Sequence, residues 1–444
     1  MNKQLLLLMA PVTTVSGYGA RSRDIATALI RSDKYDVVIF PTRWGATPQN
    51  ALDNGNKDHV EIMSRLLKSP QLNRQPDVFV QITVPNEFQK VGRYNIGITA
   101  GIETTLASGD WIEGCNRMDL VLTSSEHAKK VLLTSKWTKA DKDTNQPVGT
   151  VECTTPIEVL FEGVDLTKYF NTKEIHKSVD DQLKQVKEPF AFLFVGHWLN
   201  GDIGQDRKDV GMLCKVFLET FKRKAKHNQP ALVLKTSRSD FSPIDKKHII
   251  EKIQSVYSSV IGGTLPNIYL LHGDLTDEEM NSLYNHPKIK AHITFTKGEG
   301  FGRPLAEASL SVKPVVASNY SGHLDFLKHG VLLGGKMAQV HPSAAWENVI
   351  LQESEWFTVD YGQAGAVMID LVENYKNYEV QAKKQATFIK KEFSFDAMAE
   401  KLVSIIDEKA PKQVALKLPQ LKKIELPKLK KVEPINSEEN AVNS

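Results

Sequence analysis

Thr296-Lys297-Gly298-Glu299-Gly300-Phe301-Gly302-Arg303-Pro304-Leu305-Ala306-Glu307 is the stretch on which the fold of this chain turns. An apolar strand over 291–295 runs into it. A helix is expected to open at about Pro304, because proline is tolerated in a first helical turn, where its missing N–H had no partner. Glycines 298, 300 and 302 let backbone amides come close to a ligand, and the helix start adds free N–H groups and the positive end of its dipole. That combination suits an anion such as a diphosphate. Glu299 in the loop and Glu307 one turn into the helix can face the same crevice. Like charge keeps carboxylates off phosphate, so they are suited to accept hydrogen bonds from hydroxyls, one set on a sugar and one on a ribose.

Outward from this stretch, strand and helix patterns alternate along nearly the whole chain, which points to parallel sheets covered by helices. Strands are expected at 4–10, 36–40, 78–83, 94–99, 120–123 and 157–160. A second series follows at 190–195, 231–235, 268–271, 291–295 and 314–317. Helices are expected at 20–31, 210–224, 276–285, 364–392 and 394–406. The polar run 135–147 reads as a surface insertion, and the charged run 171–187 as a linker. The division is thus 1–175 and 188–375 as two Rossmann-like domains, 376–408 as helices returning to the first, and 409–444 as a Lys/Pro-rich tail expected to be flexible. Within that tail Leu418-Pro-Gln-Leu-Lys-Lys-Ile-Glu425 is repeated as Leu426-Pro-Lys-Leu-Lys-Lys-Val-Glu433. A proline in each octad prevents a continuous helix.

At 444 residues, 41% hydrophobic and 25% charged, the composition is that of a soluble two-domain protein. The apolar start is far shorter than a membrane span, lacks a small-residue cleavage site and leads into a glycine-rich loop, so it reads as a first strand. The net charge of +3 is concentrated: residues 409–444 hold eight lysines and four glutamates, leaving the body at −1. A near-neutral body argues against a broad duplex-binding face, while the tail suits an anionic partner. Cys115, Cys153 and Cys214 are widely spaced, without a C-x-x-C pair, which fits a reducing cytoplasm and supports neither a zinc cage nor a disulfide framework.

The stretch from Glu299 through Glu307 and on to Ser318 resembles the E-x7-E signature of the family-4 retaining glycosyltransferases, which have the two-Rossmann GT-B fold. Ser16-Gly17-Tyr18-Gly19, the 118–125 strand, the 157–170 segment with its Gly163-Val164-Asp165, and Val195-Gly196-His197 with Arg207-Lys208-Asp209 resemble further family segments in order and position. The match spans roughly 4–408. It implies that Glu307 bonds the ribose hydroxyls and that Glu299 contacts the donor sugar. Gly300, Phe301, Gly302 and Arg303 would approach the donor from one side, with Gly17 and Gly19 facing them. Lys208 would neutralise the diphosphate leaving group. The acceptor side falls to Asn95 and Glu103, in the stretch 94–105 that follows a predicted strand and mixes small residues with hydroxyls. Acceptors in this family include lipids, growing polysaccharides, proteins and small molecules, and related two-Rossmann enzymes of bacteriophages glycosylate modified bases in DNA. The resemblance therefore implies a saccharide, a glycoconjugate or a modified DNA base.

Two departures stand out. His197 occupies the place of the family's phosphate-binding arginine, and Asp209 that of a glycine. The missing cation would be supplied by Arg207, Arg238, Arg303 or, best placed at a strand end, Lys235. No D-x-D pair or clustered His/Asp/Cys set is positioned for a metal, so neither cofactor nor obligatory ion is expected. A hydride-transferring Rossmann enzyme disagrees with Ser22 where the third glycine of G-x-G-x-x-G belongs. A nucleotide-sugar epimerase and a non-catalytic sugar-nucleotide-binding protein remain as alternatives.

Overall fold

A computed structural model describes residues 3–411, except 46, 70, 142, 145, 200, 239 and 240. The lysine-rich octads lie outside the described residues. The first half contains strands β1 (Gln4–Ala10), β2 (Tyr35–Pro41), β3 (Val78–Ile82), β4 (Tyr94–Thr99), β5 (Leu120–Thr123), β6 (Lys136–Ala140), β7 (Pro147–Glu152) and β8 (Ile157–Val159). Its helices are α1 (Gly17–Arg31), α2 (Lys57–Ser64), α3 (Gly109–Cys115) and α4 (Glu126–Thr134). Six of these strands form one parallel sheet in the order β2-β1-β3-β4-β5-β8.

After α5 (Lys177–Leu183) the pattern repeats. The strands are β9 (Ala191–His197), β10 (Ala231–Ser237), β11 (Ile268–Leu271), β12 (Ile289–Ile293), β13 (Val315–Ser318), β14 (Val331–Leu333), β15 (Gly335–Gln339) and β16 (Glu355–Val359). The helices are α6 (Val210–Phe221), α7 (Pro243–Ser258), α8 (Asp277–Asn285), α9 (Arg303–Ser309), α10 (Tyr361–Glu373), α11 (Lys376–Glu392) and α12 (Phe395–Lys409). The second parallel sheet runs β11-β10-β9-β12-β13-β14, with β15 and β16 paired separately.

The apolar runs explain these sheets. Strands buried on both faces need no polar alternation. In β9, Phe192 and Phe194 pack into one layer and Ala191 and Leu193 into the other. Helix starts follow local capping: the Ser16 hydroxyl accepts from the Gly19 amide, and Thr276 with Glu279 forms a capping box on α8.

Three local expectations change. The polar run at 135–147 is largely a β6–β7 hairpin, anchored by the Trp137 indole, which donates to Ala107 O at 2.8 Å. The run at 171–187 carries α5, held by buried Val179, Leu183 and Val186, so its charges mask a short amphipathic face. The single helix expected over 364–392 is two, α10 and α11, broken at Asn374, whose backbone leaves the helical region at φ −123° and ψ 32°. Helix α11 holds the second half through Gln385, which donates to Phe326 O, while α12 packs along α1 and joins the first half where Phe395 N donates to Val164 O. Among the described residues no helix is long and apolar enough to cross a membrane.

Candidate functional site

In each sheet the strand order reverses beside the first strand of that half, β1 against β3 and β9 against β12. Loops leaving the carboxyl ends of two such strands diverge and open a crevice. In the second half those loops are 198–209 after β9 and 294–302 after β12. The latter is clamped on both sides. Lys297 N donates to Arg207 O, Glu299 N to Ser321 Oγ at 2.8 Å, and Gly322 N to Glu299 O.

Held in this way, Glu299 and Lys208 form a buried ion pair, Lys208 Nζ donating to Glu299 Oε1. Arg207 Nη1 lies 3.6 Å from Glu299 Oε2, 3.4 Å from Glu103 Oε1 on the first half, and donates to Gly298 O at 3.1 Å. Burial alone would raise the Glu299 carboxyl, but Lys208 and Arg207 together hold it down to about 2. Lys208 is itself lowered by burial, with Glu299 opposing. One charge network therefore crosses from half to half.

The glycines serve that crossing. A Cβ on Gly298 would stand 2.0 Å from Glu103 O, and one on Gly300 would stand 2.5 Å from Ala100 O. Ser124 Oγ lies 2.5 Å from Ala100 O and 3.0 Å from Gly300 O, its one proton shared between them. Gly298 and Gly300 thus approach the opposing backbone, where the sequence suggested approach to a ligand. Gly302 adopts φ 97° at the start of α9, and the Phe301 ring is buried against Phe326 at 4.8 Å.

Beside this contact lies a cavity of about 1550 Å³, whose walls include Gly17, Asp24, His197, Phe241, Arg303 and Glu307. Small-molecule sites usually enclose roughly 300–1,000 Å³, so it has room for a nucleotide-sugar and more. Arg303 bridges the two halves: Nη1 donates to Asp24 Oδ2 on α1 at 2.7 Å and Nε to Glu307 Oε1 at 3.0 Å. Tyr284 donates to the other Glu307 oxygen at 3.2 Å. Burial pushes the Glu307 carboxyl up to about 7 despite Arg303. Glu299 and Lys208 are not among the residues lining this cavity; they sit behind the sealed contact.

The remaining candidates separate cleanly. His197 stands exposed on the cavity wall at the end of β9, with Ser237 Oγ 3.3 Å from its Nδ1; partial desolvation by the cavity walls, followed by Lys208 and Arg207, lowers its pKa and favours the neutral ring. Gly17 lines the cavity with open space around it, whereas Gly19 is pressed on Thr14, whose O would lie 2.1 Å from an added Cβ. Gly19 is therefore a packing residue. Lys235 is turned to β11, donating to Gly273 O at 2.6 Å with its ammonium 5.2 Å from the Phe241 ring. The extra cation beside Glu299 is Arg207. Asn95 is misplaced by the sequence reading: it begins β4, at the end remote from the crevice. Its amide is consumed by Val91 N, Gly92 N, Gly92 O and Asp119. Glu103 is at the crevice, committed to Arg207. His127 packs edge-on against Tyr320 across the halves at 4.9 Å.

Asp209 has a backbone reason for standing where a glycine is usual. Its φ of 51° is left-handed, a region that Asp and Asn visit more readily than most residues. Its carboxylate accepts from Lys297 Nζ at 3.3 Å and Tyr361 OH at 2.7 Å, and so neutralises a lysine that is 1% exposed. Asp24 and Tyr284 carried no motif that could have marked them, and Lys297, although inside the glycine-rich stretch, carried no signal of its pairing with Asp209. Among the described residues no group of three or more His, Cys, Asp or Glu side chains is placed to hold a metal ion.

No family model matches the sequence, and no curated protein matches it either. Solved structures do match. A sucrose-phosphate synthase from Thermosynechococcus elongatus is similar with a TM-score of 0.59 at 13% identity, over 91% of this chain and 99% of that one. A glycosyltransferase from Rickettsia africae gives 0.57 at 14%, over 92% and 99%. HepE from Anabaena, in complex with UDP-glucose, gives 0.57 at 11%, over 91% and 100%. At these identities the likeness establishes the fold: two parallel six-stranded α/β halves in the GT-B arrangement.

Proposed function

We propose that this chain is a retaining glycosyltransferase that moves a sugar from a nucleoside diphosphate donor to an acceptor hydroxyl without an obligatory metal ion. The observation that carries the proposal is Glu307 on the wall of a 1550 Å³ cleft, one short helix away from the Glu299–Lys208–Arg207 cluster. A similar fold holding UDP-glucose supports a nucleotide-sugar as the donor.

In this proposal Glu307 accepts hydrogen bonds from the ribose hydroxyls, and ionises fully only above its raised pKa. Lys208 and His197 meet the departing diphosphate, where positive charge and a ring N–H stabilise developing oxyanion character. Glu299, held ionised by its two cations, accepts from the hydroxyls of the donor sugar. For the sugar to reach it, the contacts of Gly298 with Glu103 and Gly300 with Ala100 must part and then reclose. Reclosure excludes water, whose attack on the donor competes with transfer. Departure and attack on one face of the sugar leave its anomeric configuration retained. The acceptor is a saccharide, a glycoconjugate or a modified DNA base.

The test is a coupled assay of nucleoside diphosphate release across a panel of nucleotide-sugars and acceptors. A transferase releases diphosphate in step with acceptor, an epimerase converts donor without release, and a binding protein does neither. Full turnover by Glu299→Ala would remove the proposed site.

A further inference from the structure

Cys115 and Cys153 are far apart in sequence, yet the fold sets them side by side. Cys115 is the last residue of α3, and Cys153 follows the final strand of the β6–β7 hairpin. Asn116 laces the two segments together on either side of the thiols. Its Nδ2 donates to Glu152 O at 2.8 Å, and its Oδ1 accepts from Thr154 N at 2.8 Å. Residue 116 is thus bonded to both chain neighbours of residue 153. Thr155 Oγ1 adds a third tie, donating to Met118 O at 3.2 Å. Cys115 is a buried member of an apolar cluster against which Cys153 packs, the two thiols are close enough to perturb each other's ionisation, and both are free.

We propose that Cys115 and Cys153 form a redox-active dithiol that closes to an intramolecular disulfide by exchange with a small-molecule disulfide of the glutathione class. Exposure orders the steps. Cys153 is partly exposed and Cys115 fully buried, so Cys153 reacts first. The neighbouring thiol lowers the pKa of Cys153 and raises that of Cys115, which makes Cys153 the more readily ionised of the two. The Cys153 thiolate attacks one sulfur of the small disulfide, forming a mixed disulfide and expelling one small thiolate. Cys115 then loses its proton and attacks the Cys153 sulfur, expelling the second. The protein is oxidised by two electrons, one small disulfide is reduced to two thiols, and two protons pass from protein to product.

The bond would fasten the hairpin to α3, and the start of the hairpin already braces the loop that carries Glu103. Trp137 of the hairpin donates to Ala107 O, and Ser135 Oγ accepts from Ala107 N at 2.9 Å. Cys214 is buried in the other half and lacks a cysteine neighbour among the described residues, which makes it an internal control.

The experiment incubates the folded full-length chain with oxidised glutathione. The products are then alkylated under denaturing conditions and the linked peptides are mapped by mass spectrometry. We expect loss of two alkylatable thiols, loss of two hydrogens in mass, a 115–153 cross-linked peptide and full reversal by dithiothreitol. Cys214→Ser should behave as the wild type, and Cys115→Ser should stop at the mixed disulfide on Cys153. A wild-type protein that retains three alkylatable thiols overturns the proposal. So does a glutathione adduct on Cys153 that never resolves onto Cys115, or a bond made to Cys214.

Discussion

Replacing Glu299 with glutamine removes one negative charge from the network that joins the halves and leaves the shape of the side chain nearly intact. The size of the effect follows from the ionisation of the native carboxyl, which lies at about 2 against an ordinary 4.5. A shift of roughly 2.5 units is worth about 3 kcal/mol at 1.36 kcal/mol per unit. Because the folded pKa is depressed, that stability is present above pH 4.5 and is lost as pH falls through 2. Glutamine resembles the protonated acid, so Glu299→Gln should cost about 3 kcal/mol at pH 7, within the range for breaking a buried pair. For a domain of 150–250 residues, about 2–4 °C per kcal/mol converts this to a fall in Tm of about 6–12 °C. Thermal denaturation at pH 7, followed by tryptophan fluorescence, reads it directly. A double-mutant cycle with Lys208→Met should return a coupling of more than about 1 kcal/mol. A variant that melts within a degree of the wild type, or a cycle that closes on zero, would refute the assignment of this network as the tie between loop and neighbours.

Glu307→Gln should act in the opposite sense. The native carboxyl is raised to about 7, so its contribution is present below pH 4.5 and lost as pH rises through 7. Stability of the variant relative to wild type should therefore improve between pH 5 and pH 8.5, by up to about 3 kcal/mol, and paired urea titrations at the two pH values check it. Gly298→Ala places a methyl 2.0 Å from Glu103 O and should force the halves apart. We expect a larger radius of gyration in small-angle scattering, and an unchanged radius would count against the sealed contact. Asp209→Gly relieves a left-handed backbone worth about 1–2 kcal/mol but removes the carboxylate that balances buried Lys297. Among the described residues that ammonium then keeps only Thr358 Oγ1 and the Trp356 ring, and an uncompensated buried charge costs about 3–5 kcal/mol. The net expectation is a loss of Tm, and a gain would show that backbone strain outweighs the ion pair.

Long-range architecture was legible where short runs rich in apolar and β-branched residues are bounded by turn signals. Residues 4–10, 94–99, 120–123 and 268–271 are strands with the bounds their composition indicates. The crevice followed from the same source, because Glu299 and Lys208 lie in loops that leave carboxyl ends of strands in the second sheet. What periodicity cannot carry is direction and partnership. Asn95 reads as a crevice residue only until the sheet shows that it opens β4 rather than closing it. Lys235 is at a strand end, yet the carbonyl of Gly273 on the neighbouring chain segment captures it. The hairpin at 136–152 is exposed at nearly every position of its two strands, so it has no buried face for an alternation to mark. Gly298 and Gly300 announced a close approach correctly in kind, but the partner, backbone of the opposite half, is 195 or more residues away and has no local signature. Pairings such as Arg303 with Asp24 and Cys115 with Cys153 are of the same type.

The central claim is that the cleft walled by Glu307 is a nucleotide-sugar site. Isothermal titration of the purified chain with UDP-, GDP-, ADP- and TDP-sugars measures it most directly. We expect one-to-one binding for at least one of them, with affinity weakened at least tenfold by Glu307→Ala, a loss of about 1.4 kcal/mol. Binding by none of the four, or equal affinity in the variant, would contradict it.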